Sequence, residues 1–341
     1  MTDQTASELN RRTALGLLGV AGAATLAPMR ALAQTGTAPG VYRTPDERFN
    51  GVRFPYQVRY DDIDISDVYP GQGRVRIAYY VAGADGAEKI LLMHGNPSWS
   101  YIYRDMLVPL LAAGYQVILP DLPGFGRSDK PLDAGWYSYA KLVDVMSSWF
   151  RRRRLTDVNL FCQDWGGLVG LRLVERFSGN FKRVITANTA LPTGDQTLPA
   201  AFVQWRDQIS PVIPRASDAL AGGSATPLTQ AERDAYDAPF GTPQSLVAMR
   251  TLPRLVPGSP DAPEAANNRK ALAQLRTFSK PWLCLWGQFE PYTQEFYDIF
   301  TTQIPGARGR PHIRTLPAGH FIQEDVAAEL ATRTMRFMQQ T

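Results

Sequence analysis

The sequence predicts an α/β fold, and three observations carry that reading. Short apolar runs with strand character alternate with longer segments whose apolar residues recur at helical spacing. The alternation is regular from residue 74 to about 190. After an interruption it resumes with two further strand signals and a closing amphipathic helix. Strand, helix, strand in repetition is the pattern of crossover units in a mostly parallel, twisted sheet.

Taken in order, residues 74–81 and 90–93 read as strands and 101–112 as a helix. A strand at 116–120, a helix at 139–153, a strand at 159–162, a helix at 168–176 and a strand at 183–187 follow. Beyond Leu191 the alternation stops. Residues 192–268 are rich in Pro, Ala and Asp, carry short helical patterns at 198–209 and 229–236, and read as an inserted helical cap. Strand signals return at 281–286 and 312–316, and the helix 323–338 ends the pattern. The expected core is therefore in two pieces, 34–191 and 269–341, with the cap between them.

Composition narrows the function. Of 341 residues, 44% are apolar and 20% charged, enough for a full buried core. With 7 Trp, 14 Tyr and 15 Phe there is ample aromatic surface to line an apolar pocket. The net charge of +4 comes from 36 basic and 32 acidic residues, which gives no concentrated field for a polyanion, so nucleic acid is not an expected partner. Arg151 to Arg154 form a basic run at a helix end, where cations suit the helix dipole, and read as a solvated face.

The first 33 residues differ from the rest. Asn10-Arg11-Arg12-Thr13 precedes a weakly apolar, Gly- and Ala-rich run over 14–27, then Arg30 and the small-residue cleavage pattern Ala31-Leu32-Ala33. This reads as a twin-arginine export signal, residues 1–33, cut after Ala33. The run is short of the roughly 20 residues that span a bilayer. The expectation is a periplasmic protein without stable membrane association after processing. Cys162 and Cys284 each lie in an apolar strand-like run and are expected to be buried free thiols. His94, His312 and His320 show no clustered ligand spacing, so neither a metal nor any other cofactor is expected.

The chemistry begins at Phe161-Cys162-Gln163-Asp164-Trp165-Gly166-Gly167. It joins a buried strand to a helix, with small residues two before and two after Asp164, as a nucleophile elbow requires. A serine there would need a base to take its proton, whereas an ordinary carboxyl group is already ionised at neutral pH and suits displacement at a saturated carbon. His94-Gly95-Asn96-Pro97 follows the strand 90–93 and sets Asn96 opposite the elbow, so the backbone N–H groups of Asn96 and Trp165 are candidates for an oxyanion hole. His94 itself reads as structural. Ala318-Gly319-His320-Phe321 follows a late strand, and His320 is the candidate general base.

Over roughly residues 41–338 the sequence resembles the haloalkane dehalogenases of the α/β-hydrolase fold. The resemblance is carried by 94–101 (HGNPSWSY), Asp121 with 124–131 (GFGRSDKP), Gln163-Asp164-Trp165-Gly166-Gly167 and Ala318-Gly319-His320-Phe321. It implies that Trp165 donates its indole N–H to the departing halide. The second donor is a cap tryptophan in part of the family, which points to Trp205, and the asparagine after His-Gly in other members, which points to Asn96. The family's acid is an aspartate a few residues beyond strand seven or a glutamate just after strand six; the corresponding places hold Glu290, in Trp286-Gly287-Gln288-Phe289-Glu290-Pro291, and Thr189, so the triad acid is expected at Glu290, with Asp195 in the loop after strand six as the fallback. The implied reaction has two steps: Asp164 displaces the halide to form an alkyl ester, and water activated by His320 hydrolyses it. A small apolar halogenated substrate, an alcohol and a halide product follow. The rivals are an epoxide hydrolase, whose cap tyrosines are represented between Pro192 and Asn268 by Tyr236 alone, and a non-catalytic exported binding protein of the same fold.

Overall fold

Continuous apolar runs become strands buried on both faces, and they set the plan of the molecule. A computed structural model describes residues 40–341; the expected export signal lies outside the described residues. The strands are β1 (Val41–Tyr42), β2 (Val58–Asp64), β3 (Arg74–Ala82), β4 (Lys89–Met93), β5 (Gln116–Pro120), β6 (Lys130–Pro131), β7 (Val158–Gln163), β8 (Phe181–Ala187), β9 (Trp282–Gly287) and β10 (Ile313–Leu316). Eight of them form one sheet in the order β10-β9-β8-β7-β4-β5-β3-β2. From β5 to β10 all neighbours are parallel, while β3 runs antiparallel to both β5 and β2. Every residue of β5, β7 and β9 is buried, as expected when helices cover both faces of a parallel sheet.

Helices α1 (Arg104–Ala112) and α10 (Ile322–Gln340) pack together over one face. The other face carries α2 (Tyr139–Arg152), α3 (Trp165–Arg176), α8 (Ala265–Leu275) and α9 (Gln294–Gln303). Helix α2 shows how the sequence specifies these elements. Ser138 accepts the Lys141 N–H at the start, Leu142, Val145, Met146 and Trp149 are buried against the sheet, and Arg151 and Arg152 occupy the last turn. Arg152 and Arg153 then pair with Asp61 on β2, which gives part of the basic run a structural partner.

Strand β2 is absent from the sequence reading because its apolar alternation is hidden. Asp61 occupies an inward, buried position beside Ile63, where the pattern calls for a hydrophobic residue. Helix α3 begins at Trp165, three residues earlier than expected, since Trp-Gly-Gly has poor helix propensity and the turn at Asp164 decides the start. Between β8 and β9 lie α4 (Ala200–Gln204), which continues as a π-helical turn over Trp205–Ile209, then α5 (Ala216–Gly223), α6 (Gln230–Asp237), α7 (Val247–Thr251) and α8. The expected return to the core at residue 269 falls inside α8, which already packs on α3. Cys162 on β7 and Cys284 on β9 are buried, free and separated by β8.

Candidate active site

The strand-to-helix junction after β7 holds Asp164 at φ 50°, ψ −128°, a left-handed backbone that costs a non-glycine residue of order 1–3 kcal/mol. Two glycines make it possible. A Cβ on Gly166 would lie 2.0 Å from the Met93 carbonyl oxygen, and one on Gly167 would lie 1.9 Å from Thr189 Oγ1. Their bareness lets α3 sit hard against β4 and the loop after β8. The Thr189 hydroxyl donates to the Asp164 carbonyl at 2.8 Å, and the Asp164 N–H donates to the Asn188 carbonyl at 3.1 Å.

The two carboxylate oxygens of Asp164 have different partners. Oδ1 accepts the Asn96 backbone N–H at 2.6 Å, from the loop after β4, and Oδ2 lies 3.4 Å from His320 Nε2. His320 stands on the loop between β10 and α10. Its other nitrogen, Nδ1, lies 2.7 Å from Glu290 Oε2, and Glu290 Oε1 accepts the backbone N–H groups of Tyr292 at 2.7 Å and Thr293 at 2.9 Å. Burial by itself would lower the His320 pKa; the Glu290 and Asp164 carboxylates outweigh it and raise it to about 10. Asp195 is elsewhere, half exposed, taking the Thr193 hydroxyl and an Arg269 contact at 3.4 Å. Of the two carboxylates, Glu290 is the one that meets His320.

A residue that sequence reasoning missed ties these loops together. Asn188, just past β8 at φ 36°, accepts the Gly287 N–H on Oδ1 at 2.9 Å and donates from Nδ2 to the carbonyls of Gly319 (2.8 Å) and His320 (3.0 Å). With its own carbonyl on Asp164 N, one side chain and its backbone join the nucleophile, acid and base loops. The available signal was an asparagine directly after a buried strand, a residue that tolerates left-handed backbone and bonds locally. Gln163 adds a second brace, donating to the His320 carbonyl at 3.1 Å with its amide nitrogen 3.4 Å from Nε2.

Above Asp164 is a cavity of about 210 Å³ lined mainly by apolar side chains, among them Leu168, Phe202 and Ile213. Asn96, Trp165, Trp205 and His320 also line it. Trp165 is 2% exposed and edges against Tyr139, with ring centres 5.2 Å apart. Among the described residues, neither indole N–H, of Trp165 or of Trp205, has a protein acceptor. Asn96 differs, since its Nδ2 already donates to the Met249 carbonyl at 3.1 Å. His94 is fully buried below the site; its Nε2 accepts the Leu122 N–H and its Nδ1 faces the Gly95 carbonyl, both at 2.9 Å. Tyr236 is also buried, bonded to Glu324 and within 3.3 Å of Arg104, and does not line the cavity.

An ionised carboxylate on a strained elbow, a histidine backed by a second carboxylate and an apolar chamber with free N–H donors can support nucleophilic displacement followed by hydrolysis. Comparison with known proteins agrees. A family model described as the alpha/beta hydrolase fold matches residues 89–327. A haloalkane dehalogenase of Psychrobacter cryohalolentis is 41% identical over 87% of this chain and 98% of its own length. One of Mycobacterium marinum is 42% identical over 86% and 98%. The solved structure of a tetrameric haloalkane dehalogenase from Paraglaciecola agarilytica NO2 superposes with a TM-score of 0.76 at 30% identity, covering 86% of this chain and 97% of that one. By fold, by site geometry and by identity over nearly the whole length of these relatives, the chain belongs to the haloalkane dehalogenase family of α/β hydrolases.

Proposed function

We propose that this chain hydrolyses the carbon–halogen bond of haloalkanes to an alcohol and a halide, by way of an alkyl ester on Asp164. The observation that carries the reading is the pairing of Asp164 and His320 in the wall of an apolar cavity that Trp165 and Trp205 also line, with indole N–H groups that have no protein acceptor among the described residues. Asp164 attacks the halogen-bearing carbon from the side opposite the halogen, and the C–X electron pair leaves with the halide. Neutral donors from Trp165 and Trp205, with Asn96 as the alternative second donor, hold the ion without the grip of a fixed cation. His320 then takes a proton from water, which attacks the ester carbonyl; the negative charge that develops there meets the Asn96 N–H, already directed at Asp164 Oδ1, and the Trp165 N–H. Epoxide opening lacks its expected cap donor, because Tyr236 is committed to Glu324.

The test is halide release from a panel of chloro-, bromo- and iodoalkanes by the full-length chain and by Asp164→Asn. Release by the first and not the second supports the reading, and release by neither overturns it. The export route is a separate proposal, supported by Arg11-Arg12 ahead of the weakly apolar run and by Ala31-Leu32-Ala33. Replacing both arginines with lysine is expected to retain the precursor inside the cell; undiminished periplasmic delivery would exclude the twin-arginine route.

A further inference from the structure

Several neutral side-chain donors on residues lining the cavity have no protein acceptor among the described residues: the two indole N–H groups, the Gln196 amide and the Thr197 hydroxyl on the loop before α4, and the hydroxyl of Tyr292. The halide occupies the first two. Of the others, Tyr292 is the one whose ring meets the base, and it is firmly placed. Its backbone N–H is held by Glu290 Oε1. Its ring stands edge-on to the His320 imidazole at 4.9 Å and 70°, and edge-on to Phe202 of α4 at 6.1 Å and 73°. The loop after β10, through His320, and α4, through Phe202, therefore both pack on the ring. The Tyr292 side chain forms part of the cavity wall, and its hydroxyl has no protein partner among the described residues. Burial, reinforced by the Glu290 and Asp164 charges, pushes the phenol up to about 12, so it remains a donor at any ordinary pH.

A hydroxyl so placed discriminates between substrates. A plain alkyl chain that fills the chamber strips water from the phenol and returns no acceptor, whereas an oxygen on the chain restores the hydrogen bond. We propose that Tyr292 selects haloalkanes bearing a hydroxyl or ether oxygen a few bonds from the halogenated carbon. The proximity follows from the contact of its ring with His320, the base that must reach the same carbon's ester. The inference rests on the dehalogenase reading for its substrates, and among the described residues Tyr292 is the hydroxyl-bearing side chain of the cavity wall whose ring packs on the base.

The test compares an isosteric pair, 1-bromobutane and 2-bromoethyl methyl ether, with the corresponding alcohols, 1-butanol and 2-methoxyethanol, as unreactive probes. Binding of the two alcohols to the full-length protein is read by tryptophan fluorescence, and bromide release gives kcat and KM for the two bromides. In Tyr292→Phe the preference for 2-methoxyethanol over 1-butanol is expected to fall about tenfold, the worth of one hydrogen bond to a half-buried hydroxyl. The same fall is expected in the kcat/KM ratio of the bromides, through KM. A preference unchanged within about twofold would overturn the proposal. Tyr292→Leu, which also lacks the hydroxyl, supplies the same comparison if the Phe variant does not fold. Absence of bromide release by the wild-type chain from either bromide would count against the dehalogenase reading, while the alcohol affinities would still decide the role of Tyr292.

Discussion

Glu290 meets His320 through one oxygen and its own loop through the other: Oε2 lies 2.7 Å from Nδ1, and Oε1 takes two backbone N–H groups. The anchoring at Oε1 fixes the side chain of Glu290 and leaves Oε2 at hydrogen-bond distance from the imidazole. Two carboxylates therefore face one imidazole, and against the cost of burial they raise the His320 pKa to about 10. Esterification of Asp164 removes one of those charges. The first step is thus expected to free the base for the second, with ester hydrolysis switching on at a pH below the His320 titration of the free enzyme, which a single-turnover pH profile would check.

Glu290→Gln removes the other charge. The His320 titration in the free enzyme, followed by NMR, is expected to move to lower pH. Hydrolysis of the ester, followed in single turnovers, is expected to slow by about 10² to 10⁴ because the amide no longer fixes the tautomer or stabilises the imidazolium. An unshifted His320 titration would show that Glu290 does not set the charge of the base.

Leaving-group stabilisation has its own signature. Trp165→Phe keeps a ring against Tyr139 and deletes the N–H, and a cost of about 10² to 10³ in the first chemical step is expected, as for other preorganised donors. Trp205→Phe is expected to cost more than Asn96→Ala in that step, since Asn96 already directs an N–H at the Met249 carbonyl. Rapid-quench measurement of the first equivalent of bromide decides both points, and the opposite ranking would move the second donor to Asn96.

Much of this arrangement was legible because buried parallel strands leave unbroken apolar runs: the strand expected at 116–120 coincides with β5, and that at 90–93 with all but the first residue of β4. Asp164 and Glu290 could be singled out because each lies in a short motif just beyond such a run, and His320 because Ala318-Gly319-His320-Phe321 follows the shorter, half-exposed strand β10. What escaped depends on partners distant in sequence. Strand β2 was hidden by Asp61, whose burial makes sense only with Arg152 and Arg153 beside it. Asn188 joins three loops that come together only when the sheet is assembled, and Tyr292 gains its meaning from an imidazole 28 residues further along the chain. Trp205 was named, but not the π-helical turn that presents it.

The close approach at the elbow gives a stability test. An added methyl at Gly166 would meet main-chain atoms of β4, the Met93 carbonyl oxygen at 2.0 Å and its carbon at 2.5 Å, and neither can swing aside. Gly166→Ala is expected to lower the unfolding free energy by at least about 3 kcal/mol, read from urea midpoints. Gly179→Ala, whose Cβ meets nothing within 4 Å, should change it by less than about 1 kcal/mol. Equal midpoints for the two variants would mean that α3 can shift away from β4 at little cost.

The two chemical steps can be separated at His320. Asp164 attacks as a carboxylate and needs no proton removed, whereas the water that cleaves its ester does, so His320→Phe is expected to spare alkylation and block hydrolysis. Deleting the imidazole also deletes the contact of Nε2 with Oδ2, while the Asn96 N–H on Oδ1 remains to hold the nucleophile in place. Loss of a general base slows a step by about 10² to 10⁴, which carries a fast hydrolysis into a range where the ester can be isolated. With a bromoalkane, the expected result is a burst approaching one bromide per active site, matched by a mass gain of one alkyl group on the peptide that contains Asp164. Repeated turnover would remove His320 from the role of base. A folded variant that gives neither burst nor adduct would count against the covalent route itself, because nothing in the attack of a carboxylate on a saturated carbon requires the imidazole.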